Sequence, residues 1–330
     1  MKKIAINGMG RIGRASLKVI LDTPELELVA VNDIVSIENI AYLLKYDSVY
    51  GIYEKEVSHD ENNLIIDGKK IQYNSQRNPV DLPWAEHKID VVIESTGFFT
   101  KSEDAKKHIK AGAKSVIISA PTKSEDIPTV VHGVNTEAGE TNIFSCASCT
   151  TNNISPVVEI LGRRIGIKKA IMTTVHAYTA SQGIVDAPSQ KNLRMGRAGA
   201  ANIVPTSTGA AIATTKALPE LAGKFDGVAL RVPIPVGSMS DLTFVMEHDV
   251  TPETVNAIFK EEAATDRYKN ILDTTDEPLV SSDIVKNPHA STVDLGMTRV
   301  VDGDLLKVMT WYDNEWGFTN QMIRQILAEI

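Results

Sequence analysis

The sequence predicts an α/β protein of two domains, the first with a doubly wound, mostly parallel sheet and the second with a mixed, largely antiparallel sheet. Three observations support this. A chain of 330 residues is longer than one hydrophobic core usually fills. In the first half, short apolar runs alternate with helical patterns, as they do around a parallel sheet. After about Ser148, the apolar segments lengthen and alternate in polarity, which indicates strands exposed on one face.

In the first domain, five short apolar runs predict buried strands, and two longer segments have helical spacing. Ser102, followed by Glu103 and Asp104, places a cap and acidic charge at the start of the second helix. The predicted strands cover residues 3–6, 26–31, 89–93, 115–119 and 129–131, and the predicted helices cover residues 11–21 and 102–111.

The strands predicted in the second domain are longer and more alternating than those in the first. The stretch 180–201 shows no period and predicts a long surface loop, and loops of that length are usually functional. We expect a first domain over residues 1–148, a second over residues 149–314, and a last helix that packs back on the first domain. The predicted strands cover residues 169–178, 227–233, 240–248 and 304–312, and the predicted helices cover residues 155–164, 208–221, 251–264 and 315–330.

Charge and composition limit the kinds of partner and the cellular location that the sequence predicts. The chain has 42 acidic and 34 basic residues and a net charge of -8, so its overall field repels nucleic acids and anionic membranes, and we expect neither as a partner. Its apolar runs fall far short of the roughly 20 residues that cross a bilayer. The N-terminus lacks the apolar core of a signal peptide. Two cysteines cannot form a disulfide framework, which favours a reducing, cytoplasmic location.

A dinucleotide fingerprint opens the chain. Gly8, Gly10 and Gly13 form a G-x-G-x-x-G motif between the first strand and the first helix, where backbone amides can face a pyrophosphate. Asp33 follows at the end of the second strand, where a carboxylate accepts hydrogen bonds from ribose hydroxyls and repels a 2′-phosphate. The motif therefore predicts NAD rather than NADP. The alternative is a glycine-rich turn with a surface aspartate.

Two further strand ends reach the same edge of the predicted sheet. Thr96 follows the third strand, and Ser119 ends the fourth. Because ligands bind at the carboxyl edge of open α/β sheets, both are candidate neighbours of the ribose or the nicotinamide. Ordinary turn chemistry explains such residues equally well.

Cys149 is the candidate nucleophile. It lies in a small, hydroxyl-rich stretch before a predicted helix, and the positive end of a helix lowers a thiol pKa. Capping rules alone start that helix later, at Ser155 with Pro156 in its first turn. Cys146 and Cys149 also have the spacing of a redox pair, and a buried structural cysteine is a third alternative. We expect no metal, because no second cysteine pair or nearby histidine supplies further ligands.

His176 is the candidate base, and Arg231 the candidate anion ligand. Alternation along its strand directs His176 away from the more aliphatic face, and an imidazole can hold a thiolate and transfer protons. A histidine in a strand is otherwise often only hydrogen-bonded in place. Arg231 lies inside an apolar strand, where a guanidinium needs an anion or a buried salt bridge. Thr179 and Thr208 offer hydroxyls to phosphate, although Thr208 also suits a helix cap.

Six motifs, in order and spacing, resemble those of phosphorylating glyceraldehyde-3-phosphate dehydrogenases over essentially the whole chain: INGMGRIGR, SCASCTTN, TTVHAYT, PTSTGAA, LRVPIP and WYDNEWGF. The resemblance implies a Rossmann-type first domain, NAD as cofactor, glyceraldehyde 3-phosphate and inorganic phosphate as substrates, and a homotetramer. It also implies a glycolytic oxidation that passes through a cysteine thioester. Erythrose-4-phosphate dehydrogenase and a non-catalytic NAD-binding redox sensor that uses Cys146 and Cys149 stay open as alternatives.

The resemblance also assigns roles to residues. It implies Cys149 as nucleophile, His176 as its base, and one phosphate site at Thr179 and Arg231. A second phosphate site is implied at Ser148, Thr150, Thr208 and Gly209, with the loop arginines Arg194 and Arg197. The implied cofactor contacts, beyond the glycines and Thr96, are Arg11, Ile12, Asp33, Arg77, Ser119 and Asn314.

The chain departs from the usual family pattern at a few positions near these residues. Ser181 stands where an acidic residue is common, and Asn153 where a second cysteine is common. Met195 follows Arg194 where some members have consecutive arginines, so either loop arginine is a candidate for the phosphate. None of these changes removes the thiol, the imidazole or Arg231.

Overall fold

The computed structural model describes residues 1–135, 141–189 and 192–329, and the chain divides into two compact units. Unit 1 comprises Met1–Val130, Glu137–Ala147 and Met322–Ile330, and unit 2 comprises Val131–Thr136 and Ser148–Gln321. The predicted loop 180–201 includes residues 190 and 191, and the predicted last helix includes residue 330; these three positions lie outside the described residues.

Unit 1 is an α/β unit whose strands and helices alternate along most of its length. Its described elements are, in chain order, β1 (Lys2–Asn7), α1 (Arg11–Leu21), β2 (Leu26–Asn32), α2 (Ile37–Lys45), β3 (Tyr46–Asp47), β4 (Gly51–Ile52), β5 (Val57–His59), β6 (Asn63–Ile66), β7 (Lys69–Asn74), α3 (Trp84–His87), β8 (Val91–Glu94), α4 (Ser102–Lys110), β9 (Ser115–Ile118) and β10 (Ile143–Ser145).

The sheet of unit 1 has the order β10-β9-β8-β1-β2-β7-β6-β5. The strands from β10 to β7 pair in parallel, and β6 and β5 add an antiparallel edge. Ile4, Ile6 and Val92 are fully buried, as expected for central strands covered on both faces. The doubly wound, mostly parallel Rossmann sheet predicted from the sequence is confirmed. Its topology brings the carboxyl ends of β2, β1 and β8 side by side.

Three parts of unit 1 differ from the sequence prediction. Ser102 is the first residue of α4 and not its cap, because its hydroxyl donates to Asp126 at 2.6 Å. Residues 129–131 form only isolated bridges, from Thr129 to Ser145 and from Val131 to Asn135, so the strand predicted there is wrong. The outermost parallel strand is β10 instead. The hairpin strands β5 to β7 and helix α2 were not predicted, because short strands with polar residues on one face give little periodicity.

Unit 2 combines a long-stranded sheet with helices. Its described elements are, in chain order, α5 (Cys149–Arg164), β11 (Ile167–Ala177), β12 (Val204–Ser207), α6 (Ala210–Ala217), β13 (Phe225–Val232), β14 (Ser238–Met246), α7 (Pro252–Ala263), β15 (Leu272–Thr275), β16 (Ser291–Asp294), β17 (Arg299–Val301), β18 (Leu305–Tyr312) and α8 (Trp316–Ala328), whose last residues belong to unit 1.

The sheet of unit 2 has the order β12-β13-β11-β14-β18-β16-β15, and β17 pairs with β18. Two pairs are parallel, β11 with β13 and β15 with β16, and the others are antiparallel, so the predicted mixed, largely antiparallel sheet is confirmed. One face packs against α5, α6 and α7 through a core that includes Val157, Ala211, Phe244 and Phe259.

The helix predicted over residues 208–221 is shorter in the structure. It begins after Gly209 and ends at Ala217, and Pro219–Leu221 forms a separate 3₁₀ turn. Pro219 has no backbone N–H to continue the ladder, which accounts for the break. The loop predicted over residues 180–201 contains one short 3₁₀ turn, Leu193–Gly196, among its described residues.

Candidate active site

Cys149 is the first residue of α5, and its neighbours hold the helix start in place. The Ser148 hydroxyl accepts a hydrogen bond from the Thr151 amide at 3.1 Å, so Ser148 is the N-cap. The Asn152 side chain also donates to the Ser148 carbonyl at 2.9 Å. The expected start at Ser155 is therefore wrong, because this cap satisfies earlier amides. The thiol lies at the positive end of a helix of 16 residues, a position that favours the thiolate.

The backbone just before this cap is strained. Ala147 has a φ of 60°, in the left-handed region that residues other than glycine rarely adopt. Its amide donates to the Ser145 hydroxyl at 3.0 Å, which helps to hold the turn. Strain of this kind persists only where the surroundings impose it, and it concentrates at functional sites.

The imidazole of His176 faces the thiol of Cys149. The distance from His176 Nε2 to Cys149 Sγ is 3.4 Å, within hydrogen-bonding reach of sulfur. His176 is buried on β11 together with Met172 and Thr174, whereas Ile171 on the other face is 60% exposed. The strand therefore directs the imidazole inward, and the more aliphatic face of the strand is the exposed one.

The second ring nitrogen of His176 has two polar neighbours. Nδ1 lies 2.7 Å from the Ala177 carbonyl oxygen and 2.6 Å from Nη1 of Arg231, which itself donates to that carbonyl at 3.1 Å. A protonated Nδ1 donates to the carbonyl, and an unprotonated Nδ1 accepts from the guanidinium, so the two contacts favour different tautomers. Arg231 reaches the ring because β13 pairs with β11 in a register that sets it opposite His176.

Burial and charge shift the pKa values of both reactive groups. Burial, together with the Arg231 guanidinium, lowers the pKa of His176 to about 3. Burial raises the pKa of the Cys149 thiol, and Arg231 and hydrogen bonds to Thr150 oppose part of that rise. Taken alone, each group therefore favours its neutral form. The positive charge that favours a thiolate comes from Arg231 and from the start of α5.

Tyr312 lies against this pair, and the sequence analysis gave it no role. Its hydroxyl is 2.9 Å from both the Thr150 and the Thr174 hydroxyls, and so joins α5 to β11. Its ring meets the His176 imidazole edge-on, with centroids 6.0 Å apart. Tyr312 is buried, which raises the pKa of its phenol. The only sequence signal was its place in the motif WYDNEWGF.

The first predicted phosphate site has a buried cation. The Nε atom of Arg231 is buried and has no hydrogen-bond partner among the residues that the structure describes. A buried guanidinium nitrogen without an acceptor suits an anionic ligand. Thr179, just beyond β11, has its hydroxyl 2.9 Å from that of Ser181.

The second predicted phosphate site includes the start of α6. Gly209 is the N-cap and brings no side chain, and a Cβ atom placed there would meet nothing within 4 Å. The Thr208 hydroxyl accepts from the Ala210 amide at 3.2 Å. An accessible helix start of this kind favours an anion. The other two predicted ligands are engaged locally, Ser148 as the cap of α5 and Thr150 with Tyr312.

The two loop arginines differ in their surroundings. The Arg197 guanidinium donates to the Asp186 carboxylate at 2.8 Å, and the other oxygen of Asp186 accepts from the Ala198 amide at 2.9 Å. Within the described parts of the chain, Arg194 forms no ion pair, and its backbone amide donates to the Asn192 side chain at 3.0 Å. The charge of Arg197 is therefore balanced locally, and that of Arg194 is not.

Unit 1 contains a cavity of about 530 Å³ at the carboxyl edge of its parallel sheet. Predicted cofactor residues form part of its wall, and other residues complete it. The predicted residues in the wall are Gly8, Gly10, Asp33, Arg77 and Thr96, and the others are Asn7, Asn32, Ile34, Gln76, Ser95, Phe98 and Phe99.

The glycine turn in this cavity cannot carry larger residues. Gly8 has a φ of 97°, and a Cβ atom there would lie 2.7 Å from the Thr96 amide nitrogen. A Cβ atom at Gly13 would lie 1.9 Å from the Gly8 carbonyl oxygen. Gly10 is the N-cap of α1 and has no side-chain cap. The turn thus brings the positive end of α1 to the cavity, which suits a pyrophosphate.

Asp33 supplies a carboxylate to the same cavity. One of its oxygens accepts from the Met9 amide at 2.7 Å and the other from the Val35 amide at 3.0 Å. A carboxylate has about four acceptor sites, so Asp33 keeps capacity for ribose hydroxyls. The residues present therefore fit a dinucleotide with an unmodified ribose.

Four further predicted cofactor residues do not line this cavity, and each has other contacts. The Arg11 guanidinium donates to Asp47 at 2.6 Å, and Ile12, its neighbour in α1, is half-buried. The Ser119 amide donates to the Glu94 carbonyl at 3.0 Å. Asn314 belongs to unit 2, where its side-chain oxygen accepts from the Ser238 hydroxyl at 2.9 Å.

The described part of the chain shows neither a membrane-spanning helix nor a cluster of metal ligands. None of the helices described is both long and apolar enough to cross a bilayer. Within the same residues, no three or more His, Cys, Asp or Glu side chains gather as they do around a metal ion.

Known proteins resemble the chain in both units. Residues 2–102 match the model of the glyceraldehyde 3-phosphate dehydrogenase NAD binding domain, and residues 148–314 match that of the C-terminal domain. The chain is 49% identical over 325 residues to a glyceraldehyde-3-phosphate dehydrogenase of Streptomyces coelicolor, covering 97% of this chain and 96% of the relative. It is also 49% identical over 324 residues to glyceraldehyde-3-phosphate dehydrogenase 1 of Bacillus subtilis and to a glyceraldehyde-3-phosphate dehydrogenase of Geobacillus stearothermophilus, with the same 97% and 96% coverage.

These matches confirm the resemblance drawn from the six sequence motifs, and with it the prediction of NAD as the cofactor. They cover the glycine turn of unit 1 and the Cys149 and His176 pair of unit 2 alike. The chain therefore belongs to the glyceraldehyde-3-phosphate dehydrogenase family of NAD-dependent oxidoreductases.

Proposed function

We propose that the chain oxidises glyceraldehyde 3-phosphate with NAD and inorganic phosphate, and releases 1,3-bisphosphoglycerate through a thioester on Cys149. One observation carries this proposal: Cys149 Sγ lies 3.4 Å from His176 Nε2. A nucleophile within hydrogen-bond reach of a base is the arrangement that covalent catalysis requires. Sulfur matters here, because a thioester keeps a reactivity towards phosphate that an oxygen ester would lose.

In the first step, Cys149 attacks the substrate aldehyde. A bond forms between Sγ and the aldehyde carbon, the carbonyl π bond opens, and the thiol proton passes through His176 to the carbonyl oxygen. The product is a hemithioacetal with a hydroxyl group. Burial limits competing water at the thiol, and the cationic Arg231 favours the sulfur anion as it forms.

In the second step, the hemithioacetal is oxidised to a thioester. NAD, when bound, would supply the acceptor for the hydride, the hydrogen with two electrons, that leaves the carbon as its C–H bond breaks. His176 takes the hydroxyl proton at Nε2, the ring nitrogen that faces Sγ. The lowered pKa of His176 keeps the ring neutral. In the tautomer whose Nδ1 donates to the Ala177 carbonyl, Nε2 carries no proton and can accept one.

In the third step, inorganic phosphate attacks the thioester carbon. A carbon–oxygen bond forms, the carbon–sulfur bond breaks, and Cys149 leaves as a thiolate. We assign the attacking phosphate to the start of α6, where Thr208 and Gly209 lie. We favour Arg194 as the loop arginine that binds it, since Asp186 already balances the charge of Arg197. Ser148 and Thr150 complete this proposed site.

The substrate phosphate is assigned to Arg231 and Thr179. The unpartnered, buried Nε of Arg231 supports this assignment, since an anion would supply the missing acceptor. The Thr179 hydroxyl adds a donor at the end of β11. An anchored phosphate restricts the aldehyde relative to Sγ, and such positioning is a large part of catalysis.

The NAD site is assigned to the cavity of unit 1 and to residues that the family resemblance adds to it. The glycine turn is assigned to the pyrophosphate and Asp33 to the ribose. On this basis we propose functional domains at residues 1–148 and 149–314, with residues 315–330 joining the first. The proposed contacts are Gly8, Gly10, Arg11, Ile12, Gly13, Asp33, Arg77, Thr96, Ser119 and Asn314.

An absorbance assay for NADH tests the whole proposal. We expect steady turnover with glyceraldehyde 3-phosphate, NAD and inorganic phosphate. Without phosphate, we expect a burst of about one equivalent of NADH per Cys149 and then slow hydrolysis, because the thioester accumulates. Equal steady rates with and without phosphate would contradict the phosphorylating step.

Two alternatives predict other outcomes of this assay. If the chain is an erythrose-4-phosphate dehydrogenase, kcat/KM is higher for erythrose 4-phosphate than for the triose. If it is an NAD-binding redox sensor, neither aldehyde is oxidised, and mild peroxide converts Cys146 and Cys149 to a disulfide. Both are thiols in the structure, and burial raises the pKa of Cys146.

We also propose a homotetramer. The face of the unit 2 sheet that carries Ile171 also exposes Val228 and Leu305. Ile171 and Leu305 line a groove together with Ile212 of α6, and a second copy of the chain is the occupant we assign to this surface. Light scattering measures the assembly directly. We expect Ile171→Asp to lower the mass from that of a tetramer, and an unchanged mass would remove this face from the interface. The exposed fractions are 60% at Ile171, 60% at Ile212, 49% at Val228 and 39% at Leu305.

A cytoplasmic location is the remaining proposal. The reaction needs Cys149 as a thiol, and the reducing cytoplasm keeps thiols from oxidation. Fractionation of cells followed by immunoblotting tests it, and recovery outside the cytoplasmic fraction would contradict it.

A further inference from the structure

A buried line of hydrogen bonds leads from Trp84 to the cavity of unit 1. Trp84 Nε1 donates to His108 Nδ1 at 3.0 Å, and His108 Nε2 lies 3.1 Å from Glu94 Oε2. Asn7 Nδ2 donates to the same carboxylate oxygen at 2.6 Å. None of the four residues is more than 1% exposed. Asn7 contributes to the cavity wall, and the other three lie behind it.

The tryptophan fixes the tautomer of the neutral His108 ring. An indole nitrogen can only donate, so His108 Nδ1 must accept and carries no proton. The proton of the neutral ring is then on Nε2, which donates to Glu94. Neighbouring rings fix the imidazole, since the Trp84 indole lies beside it at an interplanar angle of 23°, with centroids 6.4 Å apart, and Phe99 meets it edge-on at 6.5 Å.

The Glu94 carboxylate has a full set of donors. Oε2 accepts from Asn7 and His108, and Oε1 accepts from the Thr96 amide at 2.8 Å and from the Thr96 hydroxyl. An ionised carboxylate has about four acceptor sites, and all of these are filled. A buried carboxylate that loses one donor keeps an unsatisfied acceptor, which is more costly than the average worth of a hydrogen bond.

The same carboxylate orients a second part of the cavity wall. Since Asn7 donates to Glu94, its side-chain oxygen is directed to Asn32, which donates to it at 2.7 Å. Asn32 in turn exchanges hydrogen bonds with the backbone of Gln76, at 2.9 Å and 2.8 Å. Asn7, Asn32 and Gln76 all contribute to the cavity wall. One buried carboxylate therefore determines how polar groups are oriented at the ends of β8, β1 and β2.

The turn after β8 packs directly on the glycine turn. The Ser95 hydroxyl donates to the Gly8 carbonyl at 2.7 Å. The space above Gly8 is so narrow that a Cβ atom would lie 2.7 Å from the Thr96 nitrogen. A shift of Thr96 away from Glu94 would therefore change the position of the glycine turn.

We propose that His108 and Trp84 are positioning residues for the cofactor, which act through Glu94 on Asn7 and Thr96 and thereby set the affinity for NAD. The proposal rests on the assignment of NAD to the cavity of unit 1. Neither residue lines the cavity: His108 packs against Phe99 of the wall, and Trp84 donates to His108. Because the proposed nucleophile and base belong to unit 2, the effect should appear in NAD binding and leave the reactivity of the thiol unchanged.

Two substitutions of His108 test this, with His59→Leu as a matched control at an exposed histidine of the same unit. His108→Leu removes the donor to Glu94, and His108→Gln keeps one, since a glutamine amide can reach the position of Nε2. Calorimetry gives the Kd for NAD, and alkylation of Cys149 by iodoacetamide without NAD reports on the thiol.

We expect His108→Leu to raise the Kd and KM for NAD by about tenfold, the usual effect of one buried acceptor without a donor. We expect kcat at saturating NAD and the alkylation rate to stay within about twofold of the native values. His108→Gln should keep the Kd within about threefold, and His59→Leu should leave it unchanged. A lowered Tm with an unchanged Kd in His108→Leu would overturn the proposal, and so would equal losses in the Leu and Gln variants.

Trp84→Phe gives a second measurement if His108→Leu does not fold. It keeps an aromatic ring and removes the donor to Nδ1 together with part of the buried indole, so that the imidazole is no longer restricted to one tautomer. We expect weaker NAD binding, and an unchanged Kd would reject the proposal. Failure of the native protein to oxidise glyceraldehyde 3-phosphate would count against the proposed reaction alone, since the Kd values are measured without substrate.

Discussion

Arg231 Nη1 lies 2.6 Å from His176 Nδ1, and the other nitrogen of the same ring lies 3.4 Å from Cys149 Sγ. A cation at one ring nitrogen opposes protonation of the ring, so Arg231 keeps the imidazole of the proposed base neutral. The same guanidinium is the proposed ligand of the substrate phosphate. Substrate binding and base strength therefore depend on one side chain.

Replacing this arginine should change the titration of His176. In the native protein, the ring should not titrate between about pH 5 and 8, where a free histidine does, because its pKa is lowered to about 3. Arg231→Leu removes the cation and raises that pKa, and NMR of the ring protons measures the shift. Lys168 is an exposed cation on β11, the strand of His176, and Lys168→Leu should leave the titration unchanged. An unshifted His176 signal in Arg231→Leu would contradict this account.

Removal of the thiol should abolish the reaction. Cys149→Ala has no nucleophile, so we expect no NADH above the rate of the blank with glyceraldehyde 3-phosphate, NAD and phosphate. Cys146→Ala is the control, since Cys146 is buried and has no part in the proposed steps. Loss of activity in both variants would favour a paired role for the two cysteines. Turnover in Cys149→Ala would remove that residue from its role.

Removal of the imidazole should slow the reaction without abolishing it. His176→Asn leaves the thiol but no base, and a positioned base contributes roughly 10²-fold or more to the rate. The measurement is kcat with all substrates saturating. His248→Asn, at an exposed histidine of unit 2, should keep the native rate. Near-native turnover in His176→Asn would assign the base to another group.

Burial of a neutral histidine should also make stability depend on pH. In the unfolded chain, His176 takes up a proton below about pH 6.5, whereas in the folded chain its pKa is lowered to about 3. Its contribution to stability is therefore present above pH 6.5 and is lost as the pH falls towards 3. At pH 5 the loss is of the order of 2 kcal/mol.

Urea unfolding of His176→Asn at pH 7 and pH 5 measures this contribution. The variant should lose less free energy of unfolding between the two pH values than the native protein does, because asparagine does not titrate. The same pH dependence in both proteins would show that the histidine is protonated in the folded state.

Asp33 should decide the choice between cofactors. Asp33→Ala removes both an acceptor for the ribose hydroxyls and a charge that repels a 2′-phosphate. We expect the ratio of kcat/KM for NAD to that for NADP to fall towards one, as measured with each cofactor at limiting concentration. Asp22→Ala, at an exposed position of the same unit, should keep the native ratio. An unchanged preference in Asp33→Ala would shift specificity to other wall residues.

Elements with a strong and continuous pattern were predictable from the sequence. The helix predicted over residues 11–21 is α1, and the strand predicted over residues 304–312 differs from β18 by one residue. Short elements were not, as the three-residue strand β5 illustrates. The choice between residues 129–131 and β10 as the outer strand depends on which of them pairs with β9, and no local pattern records that pairing.

The candidate site divides in the same way. Residue types and motif order pointed to Cys149 and His176, but the start of α5 did not follow from local rules, since several serines and threonines nearby can all serve as caps. Tyr312 and Glu94 were missed because their importance lies in distant partners. Asn7 and Glu94, for example, are separated by 87 residues in the chain. A buried polar network leaves almost no signal in any single stretch of sequence.

Unit 1 is built from separate segments of the chain, and this affects how the protein folds during synthesis. Part of this unit comes from the segment after Gln321, which follows the whole of unit 2 in the chain. Ribosomes make the N-terminal part first, and domains tend to fold as they emerge. The half that is synthesised first must therefore wait for the other half to appear before its own packing is complete, so a stalled nascent chain would expose the nucleotide-binding sheet while unit 2 already had all of its strands.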